Sequence, residues 1–256
     1  MPFVPFARLV VSGLAVWGLV SGCGRIEAEP ITLAGLEKRT LQFALTDVDS
    51  LERDSSIGAY RFTLLFSSGS CVRLAGGVTA SFNDEPMKLA PGGVPDTGVG
   101  GRETCEAPHA TYDFDPAQWK AEPTGDIRVV LADETHSVRL LLEKARAKRR
   151  FVRSGGTPGT LRRGQTHTFV WQPDTDTLEG TVRASLIPRS GGAAAPLSVE
   201  RDGNTLRIPV PGGTVEGTYV LRLSGNAAAR IVTCEGVAGC EGSLFHSEDL
   251  EVSVTP

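Results

Sequence analysis

Nowhere in its 256 residues does the chain carry a GxSxG elbow, an HExxH helix, a phosphate-binding glycine loop or a dinucleotide fingerprint. Their absence removes the common local frameworks for hydrolysis, metalloprotease and nucleotide chemistry, and leaves an enzyme only a site assembled from distant residues. Histidine is scarce: His109, His136, His167 and His246 are dispersed through turns and strand edges and read as surface side chains. Asp113 and Asp115 in "TYDFDP" alternate with Tyr112 and Phe114, which reads as an exposed strand face rather than an acid/base pair. Charge of one sign is lacking too, with a formal net charge of −4, so nothing points to nucleic acid. Long amphipathic helical patterns are missing, which excludes a helical bundle. No cofactor is expected.

What is present begins with an address. In "MPFVPFARLVVSGLAVWGLVSGC" a single basic residue, Arg8, precedes an apolar run too short and too rich in Gly and Ser to span a bilayer. Residues 1–22 therefore read as an export signal. The end of this segment resembles the lipobox of bacterial lipoproteins, with Val20, Ser21 and Gly22 before Cys23. The resemblance implies cleavage before Cys23, a diacylglycerol on its thiol and acylation of the new amino terminus. Several chains, at about 0.8 kcal/mol per buried methylene, give durable attachment. Gly24 rather than Asp follows the cysteine, for which the family rule implies the outer membrane. Residues 23–30 read as lipidated terminus and spacer.

Four cysteines remain: Cys71, Cys105, Cys234 and Cys240. An even number in an oxidising compartment implies two disulfides. Three pairings are possible; Cys71 with Cys105 and Cys234 with Cys240 keeps each bridge within one half of the chain. A loop of about 35 residues closed by the first is worth about 4 kcal/mol in a chain-entropy treatment, and one of about 7 residues closed by the second about 2 kcal/mol. The spacings lack a CxxC knuckle and a flanking histidine, so zinc is not expected.

The two halves resemble each other when slid past one another. "LQFALTDVDSLE" from Leu41 matches "HTFVWQPDTDTLE" from His167; "GAYRFTLLFSSG" from Gly58 matches "GTVRASLIPRSG" from Gly180; "GDIRVVL" from Gly125 matches "GTYVLRL" from Gly217. Three matches in one order imply a tandem duplication. Alternation of period two marks half-buried strands: Ile127, Val129 and Leu131; Leu206, Ile208 and Val210; Tyr219, Leu221 and Leu223; Leu250, Val252 and Val254. Gly and Pro clusters separate them.

Roughly seven short strands per hundred residues argue for sandwiches of two antiparallel sheets. From about Thr157 to Pro256 the chain resembles bacterial immunoglobulin-like or fibronectin-type domains, through Trp171 in "TFVWQP" and "GTYVLRL". The resemblance implies that Tyr219 is a corner tyrosine. It departs from antibody domains in lacking an intersheet disulfide, because Cys234 and Cys240 sit so close that a hairpin loop is expected to hold both. The fold expected is all-β: two tandem Ig-like sandwiches, at 31–152 and 161–256, joined by a linker at 153–160 ("RSGGTPGT").

Two features suggest binding. In "EKARAKRRFVR" strand spacing puts Lys144, Arg146, Lys148 and Arg150 on one face, able to meet anionic headgroups or acidic polysaccharide, or simply to discourage edge pairing. In "TCEGVAGCEGSLFHSED" a disulfide would preorganise a Gly-rich tip with Leu244 and Phe245 as apolar anchors. The carboxylates Asp47, Asp49 and Glu52, and Asp174, Asp176 and Glu179, do not match the twelve-residue calcium loop, and no metal is assigned to them. The function expected is a lipid-anchored, non-catalytic envelope module that binds or adheres to an envelope protein or glycan. The alternatives are a passive spacer of an envelope assembly and an enzyme built from dispersed residues.

Overall fold

The computed structural model describes residues 27–51, 60–66, 69–94, 104–121 and 124–256. The signal segment, Cys23 and Glu52 lie outside the described residues.

The chain is all-β, in two sandwiches. The first sets one sheet, in the order β19 (Arg230–Glu235), β10 (Ser137–Glu143), β9 (Ile127–Ala132), β5 (Thr79–Phe82) and β6 (Glu85–Pro86), against a second sheet. That second sheet holds β2 (Thr40–Asp49), β3 (Tyr60–Phe66), β8 (His109–Asp113) and β7 (Lys88–Ala90). The other sandwich sets β11 (Arg150–Ser154), β13 (Thr166–Gln172), β17 (Thr205–Pro209) and β16 (Glu200–Asp202) against β15 (Ala195–Leu197), β14 (Leu178–Pro188) and β18 (Gly217–Ala228). A small parallel ribbon joins β1 (Glu29–Ile31) to β4 (Val72–Leu74); among the described residues the helices are a 3-10 turn at Ala34–Leu36 and one α-helix, α1, at Pro116–Ala121.

One strand belongs to both sandwiches. β20 (Gly239–Thr255) pairs in parallel with β2 from Gly239 to Glu248, antiparallel with β18 from Ser243 to Val254, and in parallel with β12 (Thr160–Arg162) at its end. The two β18-side and β2-side sheets are therefore one continuous wall.

Period-two burial explains the strands. In β2 the inward positions are Leu41, Phe43, Leu45 and Asp47, and in β3 they are Tyr60, Phe62, Leu64 and Phe66. Across the first sandwich Phe62 meets Phe82 at 5.3 Å between ring centroids. Across the second, Gly225 lies under Leu178 and Phe151, and a Cβ there would be 2.9 Å from Leu178 Cδ1. Each fully buried Leu or Phe contributes about 1.5–3 kcal/mol relative to exposure.

Several expectations change. Residues 153–160 do not link two separate units: Arg153 and Ser154 end β11, Thr160 begins β12, and both strands belong to the second sandwich. Residues 230–248, placed by sequence in the second domain, supply β19 and half of β20 to the first. Glu29 and Pro30 are strand residues rather than spacer. The repeat does not align equivalent positions either, since β2 and β3 are hydrogen-bonded neighbours whereas β13 and β14 lie in opposite sheets.

Both disulfides form with the pairing that sequence proximity favours. Cys71–Cys105 spans 5.6 Å between Cα atoms, and Cys234–Cys240 spans 5.9 Å. The second is no hairpin clasp. Cys234 lies opposite Leu140 in one sheet and Cys240 opposite Leu41 in the facing sheet, so the bridge ties sheet to sheet in the first sandwich. Tyr219 donates its hydroxyl to the Val215 carbonyl four residues upstream at 2.8 Å, the corner that the resemblance implies.

Candidate functional site

The basic run is dispersed. Lys144 sits exposed in a turn with its backbone N–H donating to Asp126, and Lys148 Nζ lies 4.0 Å from the centroid of the Trp119 ring. Arg146 packs over Gly125, while Arg150 Nε donates to Gln172 on the neighbouring strand. The residue that alternation overlooked, Arg149, is buried. The four cations are divided between a turn at 144–146, the segment that follows it and the start of β11.

Leu244 is 2% exposed and belongs to the core, which removes it as an anchor. Strand alternation puts Phe245 on the other side, half-buried on the outer face of the shared sheet opposite Thr46 and Asn226.

Where β2, β3 and β20 run side by side, that outer face dips. Glu241, Gln42 and Leu65 form one row across the three strands; Ser243, Ala44 and Thr63 form the next. Ala44 is too small to fill its place, and the result is a depression of about 470 Å³, mostly apolar at its surface. Gln42 Nε2 donates to Glu241 Oε1 at 2.8 Å, fixing an amide and a carboxylate at the rim. Gly242 borders the depression, and a Cβ on it would collide with the carbonyl oxygen and ring of Phe43. One row further, Arg61 Nε donates to Asp113 Oδ1 at 2.6 Å, so Asp113 is spent on an ion pair. Asp115, the other half of the sequence pair, accepts from the backbone N–H groups of Ala117 and Gln118 and caps α1.

At the inner face of the same wall, where β20 passes between sandwiches, charged groups are buried. His246 Nδ1 lies 3.1 Å from Asp47 Oδ2, and Nε2 lies 3.9 Å from Glu248 Oε2. Arg149 Nη2 pairs with Asp176 Oδ2 at 2.9 Å, and its Nη1 donates to the carbonyls of Ala145 and Ala147. Glu248 also accepts from the Phe151 backbone N–H, and the rings of Trp171 and Phe151 flank the imidazole. Burial by itself disfavours the imidazolium; Asp47 and Glu248 outweigh it and raise His246 to about 9. Burial likewise pushes the Arg149 guanidinium down, opposed by Asp176 and Asp47. The side chains of Arg149, His246 and Asp47 are only 0%, 4% and 6% exposed, so this cluster pairs charges across the junction and does not face a solvent-borne ligand.

Sequence reasoning missed both places. It put His246 on the surface and treated Asp47 and Asp176 as free loop carboxylates, although each is held by a cation here. Among the described residues no cluster of three metal-ligating side chains occurs. No helix of the described residues is long and apolar enough to cross a membrane.

No protein-family model matches the chain, and no curated protein matches it in sequence. Among solved structures it is similar to SGBP-B of the Bacteroides ovatus mixed-linkage glucan utilization locus, solved in complex with a mixed-linkage heptasaccharide. That likeness has 13% identity and a TM-score of 0.23, covering 83% of this chain and 45% of the other. It is also similar to a chimeric titin Z1Z2 functionalized with a decorin peptide, at 11% identity and a TM-score of 0.22, covering 86% of this chain and 95% of that one. The chain spans less than half the length of the first. At such scores the all-β sandwich assignment rests on the chain's own strand pairing.

Proposed function

We propose that the chain is a non-catalytic binding module of the cell envelope, anchored by lipid on Cys23 at the outer membrane, which holds a glycan against the outer face of its shared sheet. The observation that carries this reading is the depression over Ala44. Its volume lies within the range of roughly 300–1,000 Å³ typical of small-ligand sites, and it combines an apolar floor with a few fixed polar groups. A sugar ring has the complementary form, with a C–H face to lie on Leu65 and Ala44 and hydroxyls to meet the Gln42 amide and the Glu241 carboxylate. Because Gln42 and Glu241 already hold one another, little ordering is required on binding.

The test is calorimetric titration of the soluble chain beginning after Cys23 with neutral hexose oligosaccharides, beside the A44W variant. The indole would fill the depression from an outward position. Saturable binding by the parent, weakened at least about tenfold in A44W at unchanged Tm, is the expected result. Equal binding by both proteins would move the site elsewhere. No binding, together with no protein retained from solubilised envelope, would favour the passive spacer.

A further inference from the structure

The segment "RSGGTPGT", expected to be a linker, forms one wall of a second cleft, of about 440 Å³ and with a mainly polar surface, beside β11, β12 and β13. Two arginines line it, Arg153 and Arg162, together with His167, Gln165 and a set of Ser and Thr hydroxyls. Asp and Glu are absent from the lining, although acidic residues outnumber basic ones in the chain, 30 to 26.

Neither arginine has a carboxylate partner among the described residues. Arg153 Nη1 donates to the Thr157 carbonyl at 2.6 Å and to the Thr160 carbonyl, while Nη2 donates to His167 Nδ1 at 3.0 Å. His167 Nε2 in turn lies 3.0 Å from the Arg162 backbone nitrogen and 3.1 Å from the Arg162 carbonyl oxygen, which holds the imidazole beside Arg153. No carboxylate pairs with Arg153 among the described residues. Its guanidinium is held in place by three acceptors and keeps its full charge for whatever enters the cleft. Gly156 makes this geometry accessible: its φ is +72°, and a Cβ there would lie 2.7 Å from Arg153 Nη2. Arg162 is exposed, and its guanidinium has no carboxylate partner among the described residues, whereas the adjacent Arg163 is paired with Glu216 at 3.2 Å.

The geometry points to a second binding site, in which Arg153 and Arg162 take the oxyanion of an acidic ligand, a carboxylate, sulfate or phosphate group carried by an acidic saccharide or free in solution. Two cations and several hydroxyl donors around one cleft match the charge-assisted recognition of such groups. Thr255 lines this cleft and Gly242 lines the first depression. Thirteen steps along β20 separate them, roughly 43 Å of extended strand, so the two sites are distinct.

The experiment titrates the soluble chain at low salt with an oligogalacturonate, with glucuronate, with inorganic sulfate, with inorganic phosphate and with glucose as a neutral control. It includes the parent, R162Q, S154E and A44W, each with its Tm. The expected result is saturable binding of at least one anionic probe, weakened about tenfold or more in R162Q and in S154E, reduced by added salt, and retained in A44W, to which glucose does not bind. Binding of the saccharide acids would identify their source as a glycan; binding of sulfate or phosphate alone would identify a free anion. The proposal is overturned if none of the anions saturates, if glucose binds A44W as well as glucuronate does, or if R162Q and S154E bind as the parent does. Loss in A44W alone would assign the binding to the first depression.

Discussion

At the scale of single residues, His246 concentrates the chain's unusual electrostatics. It faces Asp47 from β2 and Glu248 from its own strand, and Arg149 sits nearby with Asp176, under the rings of Trp171 and Phe151. The fold raises it from 6.5 to about 9. A histidine held above its unfolded value stabilises the fold fully below about pH 6.5, and that contribution is lost as the pH climbs through about 9. The difference corresponds to the order of 3 kcal/mol. Urea unfolding followed between pH 6.5 and 9 is expected to show the parent losing stability, while H246N is less stable at pH 6.5 and nearly flat across the window. A parent profile as flat as that of the variant would contradict the charge pairing. None of this was legible in the sequence, because Asp47, Asp176 and His246 look like ordinary turn and surface residues until distant strands bring them together.

At the scale of elements, strands with apolar inward positions announce themselves and those with polar inward positions do not. β3, β9 and β18 alternate visibly, and period alone finds them. β20 is the longest strand of the fold, yet its first half reads as a loop. Its inward residues there are Cys240, Gly242, Leu244, His246 and Glu248, of which only Leu244 is a large hydrophobe. β19 hides for another reason: it is an edge strand with a register shift against β10, and both Ile231 and Val232 are exposed. Gly242 shows what this first half of β20 demands. Replacing it with alanine places a methyl 2.0 Å from the Phe43 carbonyl oxygen, in the ladder that joins β20 to β2. G242A is expected to lose roughly 2 kcal/mol or more in chemical denaturation, a cost of forcing the two strands apart. G239A, where nothing lies within 4 Å, is the matched control and is expected to change little.

At the scale of the whole molecule, sequence correctly suggests two sandwiches but misplaces how they are joined. A boundary at 153–160 implies two units that fold alone; the paired strands imply one. Differential scanning calorimetry is therefore expected to give a single transition, and a fragment of residues 27–152, deprived of β19 and β20, is expected to remain unfolded by near-ultraviolet circular dichroism. Two separate transitions, or a folded fragment, would restore the independent domains. The depression over Ala44 shares this dependence, since Glu241 and Gly242 reach Gln42 and Phe43 only through the pairing of β20 with β2.

That pairing also sets a clock. Gln42 meets Glu241 across 199 residues, so β2 waits for β20 to be made. A ribosome adding residues in order completes the other strands of the first sandwich before β19 and β20 exist. Contacts this distant in sequence form slowly, and an unfinished sheet leaves its edges unpaired meanwhile. The chain consequently stays unlocked until β20 is made, and that one strand then closes both halves together.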